Sequence, residues 1–151
     1  MSNDSFFEQG KFIPSYKEKY KGTTPIVYRS SWERQLMMFL DRNTACISWG
    51  SESSIVPYVS PIDKQLHRYF IDFVAVFRDK FGADNKYYIE IKPRKQTIMP
   101  KPSPRKKQET YMKEVETFAV NCAKWKAAKE YAKKKSAKFI IITEVELFKK
   151  G

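Results

Sequence analysis

From His67 to Phe77 the chain reads HRYFIDFVAVF, a run of β-branched and aromatic residues with one carboxylate, Asp72, near its middle. Successive side chains of a strand point to opposite faces. A run that is apolar at both parities has no face to give to water, so it belongs in the interior of a sheet. Its neighbours can be read on either side. Upstream, CISWGSESSIVPYV reads as a first strand interrupted around Gly50, and downstream Lys86–Lys92 reads as a third. Ser60–Gln65, with Pro61 and Asp63, suits a hairpin loop, and Asp79–Asn85, with Gly82, suits a second turn. Three strands on short connections predict an antiparallel meander.

Ahead of the strands, RSSWERQLMMFLDRN carries Trp32, Leu36, Phe39 and Leu40 at helical spacing, with Ser30 as N-cap and Asn43 near the stop. This predicts a helix from about Ser31 to Asp41. After the strands, Pro93, Pro100, Pro102 and Pro104 block regular structure until a helix can begin near Pro104. From there to Lys135, Tyr111, Val115, Phe118, Cys122 and Trp125 form a helical stripe, with Asn121 placed to break it and cap a second helix. KFIIITE reads as a buried strand and EVELFKK as a terminal helical turn. Residues 1–28 lack a helix face and read as an extended arm with a short turn near Tyr16–Tyr20, which leaves residues 29–151 as one domain.

The 151 residues, 42% of them hydrophobic, suffice for one core. The charge of +12, from 29 Lys and Arg against 17 Asp and Glu, repels itself unless a polyanion relieves it. Nucleic acid is the leading partner class and an anionic membrane surface the second. Basic residues gather in Lys11–Lys21, Lys92–Lys107 and Lys124–Lys138, the last reading mostly as the outer face of a helix. Cys46 and Cys122 have no metal-ligand spacing and stand apart from His67, so they read as reduced core thiols rather than zinc ligands. The N-terminus, with Asp4 and Glu8, lacks an apolar targeting segment, and an apolar run such as Phe73–Phe77, which no other run exceeds, falls far short of a membrane span. A soluble intracellular chain is the expectation.

An ionised Asp72 inside so apolar a strand loses hydration and needs a partner or a cation. On the next strand, YYIEIKPRK sets Tyr87, Ile89 and Ile91 on one face and Tyr88, Glu90 and Lys92 on the other. Glu90 and Lys92 are then roughly 7 Å apart along the strand, and the simplest reading is a surface ion pair. If the second and third strands pair, however, Asp72, Glu90 and Lys92 share a face. Two carboxylates held close repel unless a cation sits between them, and magnesium, a hard ion content with one or two carboxylates plus water, fits. Lys92 would orient a water or offset charge growing on a phosphorane-like transition state, so phosphodiester hydrolysis is within reach of these parts. Glu33 has two readings: Ser30-x-x-Glu33 makes a capping box, yet Leu36, Met37 and Leu40 place it at the border of the packed face. Glu52 is a weaker candidate for the same pocket, His67 reads as a strand-surface residue, and Trp49 and Trp125 read as core. Arg68, Arg94, Lys95, Arg105, Lys106 and Lys107 sit beside the proposed site or in the proline-rich segment after it, where DNA phosphates would pass.

The order of a Glu-bearing helix, a strand, a strand with Asp and a strand with Glu-x-Lys, then helix and strand, resembles the restriction-endonuclease-like superfamily. Its signature, (P)D…(D/E)xK, reads here as Asp72…Glu90-Ile91-Lys92, with Ile71 in place of the usual proline. YRSSWE, WGSE, RYFIDF, IEIKP and NCAKWKAAK look like the head-completion nucleases of large tailed, T-even-type bacteriophages. The endonuclease subunit of heteromeric bacterial transposases is similar over the core. The resemblance implies an α/β fold with a mixed sheet: helix, three-stranded antiparallel meander, helical segment, further strand. It also implies a Mg²⁺-dependent DNA nuclease, with Mn²⁺ able to substitute, that trims or nicks packaged DNA so that filled heads join tails. Endonuclease action leads and exonuclease action is an alternative; a monomer would nick and a dimer could cut both strands. Glu33, Asp72, Glu90 and Lys92 would be catalytic and Asp72, Glu90 and Ile91 would hold the metal. Double-stranded DNA and phage head or portal proteins would be partners, in the host cytoplasm or in the virion, with no membrane. The rival reading is a non-catalytic, basic DNA-binding component of the virion.

Overall fold

Residues 9–149 are described by the computed structural model. Along them come β1 (Gly10–Lys11), a 3₁₀ turn at Lys17–Lys19, β2 (Val27–Tyr28), α1 (Ser31–Arg42), β3 (Cys46–Val59), β4 (Leu66–Arg78) and β5 (Asp84–Ile91). A second 3₁₀ turn at Arg94–Thr97, α2 (Gln108–Lys134), β6 (Lys138–Ile142) and α3 (Glu144–Leu147) follow. The main sheet has the order β3-β4-β5-β6, antiparallel across the first two pairings and parallel across the last. This is the predicted meander extended into a mixed α/β sheet, consistent with a restriction-endonuclease-like fold.

The apolar strand lies inside the sheet because both of its faces are covered. On one face α1 sets Leu36, Met37 and Leu40 against Trp49, Phe73, Ala75 and Ile89; on the other α2 sets Trp125, Ala128 and Ala132 against Val56, Tyr69, Ile71 and Tyr88. Tyr88 and Ile89, successive on β5, join different clusters, as strand alternation requires. On β4 the alternation slips. Tyr69 and Ile71 belong to the α2 side, Phe73 and Ala75 to the α1 side, and the slip falls on Asp72.

β3 causes this slip, and its break is not at Gly50. Gly50 stays in register opposite Val74, while the pairing shifts between Ser51 and Ser54, where Glu52 adopts φ 51°. Gly50 serves a close approach instead: a Cβ there would meet the backbone of Gly22 at 3.1 Å. That neighbour belongs to the N-terminal segment. Of the arm expected over residues 1–28, residues 1–8, including Asp4 and Glu8, lie outside the described residues. From Gly10 the segment is fastened to the core: Phe12 and Tyr20 meet the Trp49 ring edge to face, and the Lys21 N–H donates to the Trp49 carbonyl at 2.7 Å.

The fully buried Asp41 is the second fastening. Its carboxylate accepts the Ser15 and Tyr16 N–H groups at 2.8 and 3.0 Å, and Lys19 Nζ donates to its carbonyl. Asp41→Ala leaves two part-buried donors without an acceptor, at a cost on the order of 1–3 kcal/mol for each donor. A urea unfolding curve should show this loss, and unchanged stability would contradict the anchoring role.

α2 corrects the expected boundaries. It starts at Gln108 rather than near Pro104 and runs unbroken through Asn121, since one mid-helix asparagine costs less than a turn of helix gains in packing. Its buried stripe is Asn121, Trp125, Ala128 and Ala132, and Cys122 is exposed rather than a core thiol. The alanines let the helix lie close to the sheet, and that rotates Cys122 outward. β6 is an edge strand, half-buried rather than buried: Ile140 and Ile142 face the α1 cluster, Phe139 and Ile141 the α2 cluster.

Candidate active site

Paired residues on β4 and β5 end at Phe73 opposite Ile89. The next pair would be Asp72 and Glu90, but there the strands part while β5 continues beside β6 through Ile91 opposite Ile142. The fork leaves the Ile91 N–H without a strand partner, and Asp72 supplies one: its Oδ2 accepts that N–H at 2.9 Å. A carboxylate thus takes the place of a ladder carbonyl. Burial pushes the Asp72 carboxyl well above its usual range, and the charge of Glu90 adds to the rise, which the Ile91 N–H only partly offsets.

Glu90 is buried and doubly held. Tyr69 donates its hydroxyl to Oε1 at 2.6 Å, and Lys92 Nζ lies 3.3 Å from Oε2. The expected ion pair therefore exists, but inside the protein rather than on its surface. Tyr69 is a site residue that sequence patterning does not single out. It is 4% exposed, and burial, with Glu90 second, drives its phenol far upward, so it remains a proton donor at every working pH. The available signal is that a tyrosine in a central strand must find its hydroxyl a partner.

Glu33 approaches from α1. Ser30 Oγ accepts the Glu33 N–H, the first half of a capping box, but Glu33 Oε1 reaches past Ser30 to accept the Arg29 N–H at 2.8 Å. Its carboxyl is raised chiefly by burial, with Glu90 contributing, and its charge in turn acts on Asp72. Glu33, Asp72, Glu90 and Lys92 therefore form one electrostatic cluster. The Ile91 side chain is in the core, so any part it plays toward a metal falls to its main chain. Glu52, on the β3 bulge opposite Asp72, is paired with the Arg29 guanidinium.

The basic candidates divide. Arg94 and Lys95 are on the 3₁₀ turn that follows Lys92, with the Arg94 N–H fixed by Glu144 at 2.8 Å. Arg105 and Lys107 lie in the stretch before α2, while Lys106 is engaged by Glu114 at 2.7 Å and by the Lys101 carbonyl. Arg68, exposed on β4, has its guanidinium over the exposed Phe70 ring. His67 is paired with Asp63 and stacked on Tyr58, a surface role as expected, and Trp49 and Trp125 are core.

Among the described residues no three His, Cys, Asp or Glu side chains gather as a ready-made metal cage. The donor set at the fork nevertheless fits magnesium: two oxygen-donor carboxylates that repel each other, with water left to complete an octahedron. Among the described residues no helix is long and apolar enough to cross a membrane.

Comparison with known proteins identifies the family. The family described as TnsA-like endonuclease N terminal matches residues 43–144. That span includes Asp72, Glu90 and Lys92 but not Glu33. The head completion nuclease of Enterobacteria phage T4 is 40% identical over 139 residues, covering 89% of this chain and 90% of that protein.

Proposed function

This chain belongs to the TnsA-like endonuclease family, and from that premise we propose that it hydrolyses DNA phosphodiester bonds at the fork of β4 and β5 with Mg²⁺ as cofactor and Mn²⁺ as a substitute. Nuclease function is the coarse reading that membership supports. One observation carries the finer one: Asp72 leaves the strand ladder to cap Ile91 beside a buried Glu90. With one lysine for two repelling carboxylates, the buried Asp72 carries a charge cost that a cation relieves.

Asp72, Glu90 and the main chain at Ile91 would hold the ion, which when bound supplies Lewis-acid stabilisation and a more acidic water. Tyr69 keeps Glu90 in one orientation. Lys92, on the same strand, is placed to donate to the attacking water or to a non-bridging phosphate oxygen once substrate competes for it. Glu33, with its raised carboxyl, is placed to hold or take a proton at the edge of the cluster. The water oxygen bonds to phosphorus as the bond to the leaving oxygen breaks, giving a phosphate monoester and a hydroxyl end.

The description of the relative as a head completion nuclease supports head completion as the biological setting, in which this chain would trim or nick packaged DNA before head and tail join. Phage head or portal proteins would be partners, and the host cytoplasm or the virion the location. Supercoiled plasmid tests the chemistry. Relaxation or linearisation with Mg²⁺ and none with EDTA is expected. Intact DNA binding with no cleavage under either condition would favour the non-catalytic virion component instead.

A further inference from the structure

Directly after Lys92 the chain makes the turn Arg94–Thr97 and then runs without regular structure to α2. Between this stretch and the first half of α2 lies a cavity of about 850 Å³. α2 buries no residue before Asn121, and Lys113, Thr117 and Phe118 of its first half line the cavity. Ile98, Met99 and Phe118 line it with apolar surface, and Lys95, Lys101 and Lys113 bring positive charge.

Asn121 closes the cavity on the sheet side. It is 6% exposed and sits in mid-helix, and among the described residues no hydrogen bond reaches its side-chain amide. Its amide is not among the polar atoms fully sealed without a partner, so its donors and acceptor open onto the cavity it lines. The amide offers one acceptor and two donors, and the cavity gives them something to meet. A flat apolar body with a hydrogen-bonding edge and an attached anion matches all three wall types: ring surface at Phe118, amide at Asn121, ammonium groups on the walls. A nucleotide has those parts.

We propose that this cavity receives one unstacked nucleobase of the DNA strand held at the active site, with Phe118 against its face, Asn121 on its edge and the lysines on flanking phosphates. The proposal rests on the nuclease reading above and adds a substrate class. A base inside an intact duplex cannot reach a buried amide, so the preferred DNA carries an unpaired nucleotide, as at a frayed end, flap or gap. The turn at Arg94–Thr97 joins Lys92 to the cavity wall and carries the strand from one place to the other.

Binding measured in EDTA separates this idea from catalysis. The probes are a short single-stranded oligodeoxynucleotide bearing 2-aminopurine and a blunt duplex of the same sequence, each titrated with wild type, Asn121→Leu and Phe118→Ala. Loss of a base contact should weaken single-strand binding by about tenfold in each variant and remove the change in 2-aminopurine fluorescence. Duplex binding, set by phosphate charge, should move by less than about twofold. Unchanged single-strand affinity in a folded Asn121→Leu protein overturns the proposal, and so does an equal loss on both probes. If Asn121→Leu does not fold, Phe118→Ala decides alone. Wild-type cleavage by Asp72→Asn would overturn the active-site reading and leave the EDTA binding result standing.

Discussion

Asp72→Asn and Glu90→Gln should each lower DNA cleavage by about 10³-fold or more; Asp72→Asn should also raise the melting temperature of the metal-free protein by a few degrees, whereas Glu90→Gln, which strips the part-buried Lys92 of its counter-charge, should not. Both substitutions keep the local hydrogen bonds. The asparagine amide still presents an oxygen to the Ile91 N–H, and the glutamine amide still accepts from Tyr69. What each removes is one of two carboxylate charges that repel in a partly desolvated fork. The folded-state carboxyl of Asp72 is raised, chiefly by burial and then by Glu90, so the native protein binds that proton more tightly than the unfolded chain. The stability this proton provides is full below the unfolded-state range and is lost as pH rises through the raised folded value. As pH rises, keeping Asp72 in the fork costs stability that a neutral amide does not cost. The stability gap between Asp72→Asn and wild type should therefore open as pH rises from acid toward neutral. Melts in EDTA across that range, run beside plasmid cleavage, check both halves. Adding Mg²⁺ should stabilise wild type more than either variant, since only wild type offers both charges to the ion. Asp72→Asn melting below wild type in EDTA would show the fork to be a structural charge network.

The meander and α1 were legible because each is set by local rules. Alternation at period two and short loops fix which strands are neighbours, and Ser30 marks the helix start. The same alternation, with paired strands, puts Asp72 and Glu90 together. It failed where tertiary packing breaks the period. By parity alone Arg68, Phe70 and Asp72 share a face, yet the bulge opposite Asp72 turns its carboxylate into the fork while Arg68 and Phe70 stay on the exposed side. The α2 stripe could be traced back from Trp125 by three residues to Cys122 or by four to Asn121. Counting apolar residues chose cysteine; Ala128 and Ala132, too small to weigh in such a count, set the true face. The continuous apolar content of β6 reported correctly that both its faces are covered, but said nothing of its free edge. Tyr69 was hidden for a related reason. Which buried tyrosine meets which carboxylate depends on cross-strand register, which is settled only when the whole sheet assembles.

Lys92→Ala should reduce single-turnover cleavage by about 10²–10³-fold and leave DNA affinity within about twofold. The backbone at this position is fixed independently of the side chain, because the Lys92 N–H donates to the Ile142 carbonyl at 3.0 Å. Alanine therefore removes an ammonium without loosening the end of β5. For binding, that ammonium is one among 29 basic side chains, worth a single phosphate contact at most. For chemistry it has no substitute among the described residues, where its 3.3 Å contact with Glu90 is the ion pair made by the fork's carboxylates. Lys92→Arg restores the charge but brings a planar fork with different reach, so it should recover only part of the rate. Glu90, left without its counter-charge in the alanine variant, keeps the Tyr69 hydroxyl, and so the protein should remain folded. A gel shift beside the cleavage assay separates the outcomes. If affinity falls in step with rate, Lys92 is a phosphate anchor; if the rate alone falls, the lysine acts on the transition state, and its ion pair with Glu90 is the resting arrangement that substrate displaces.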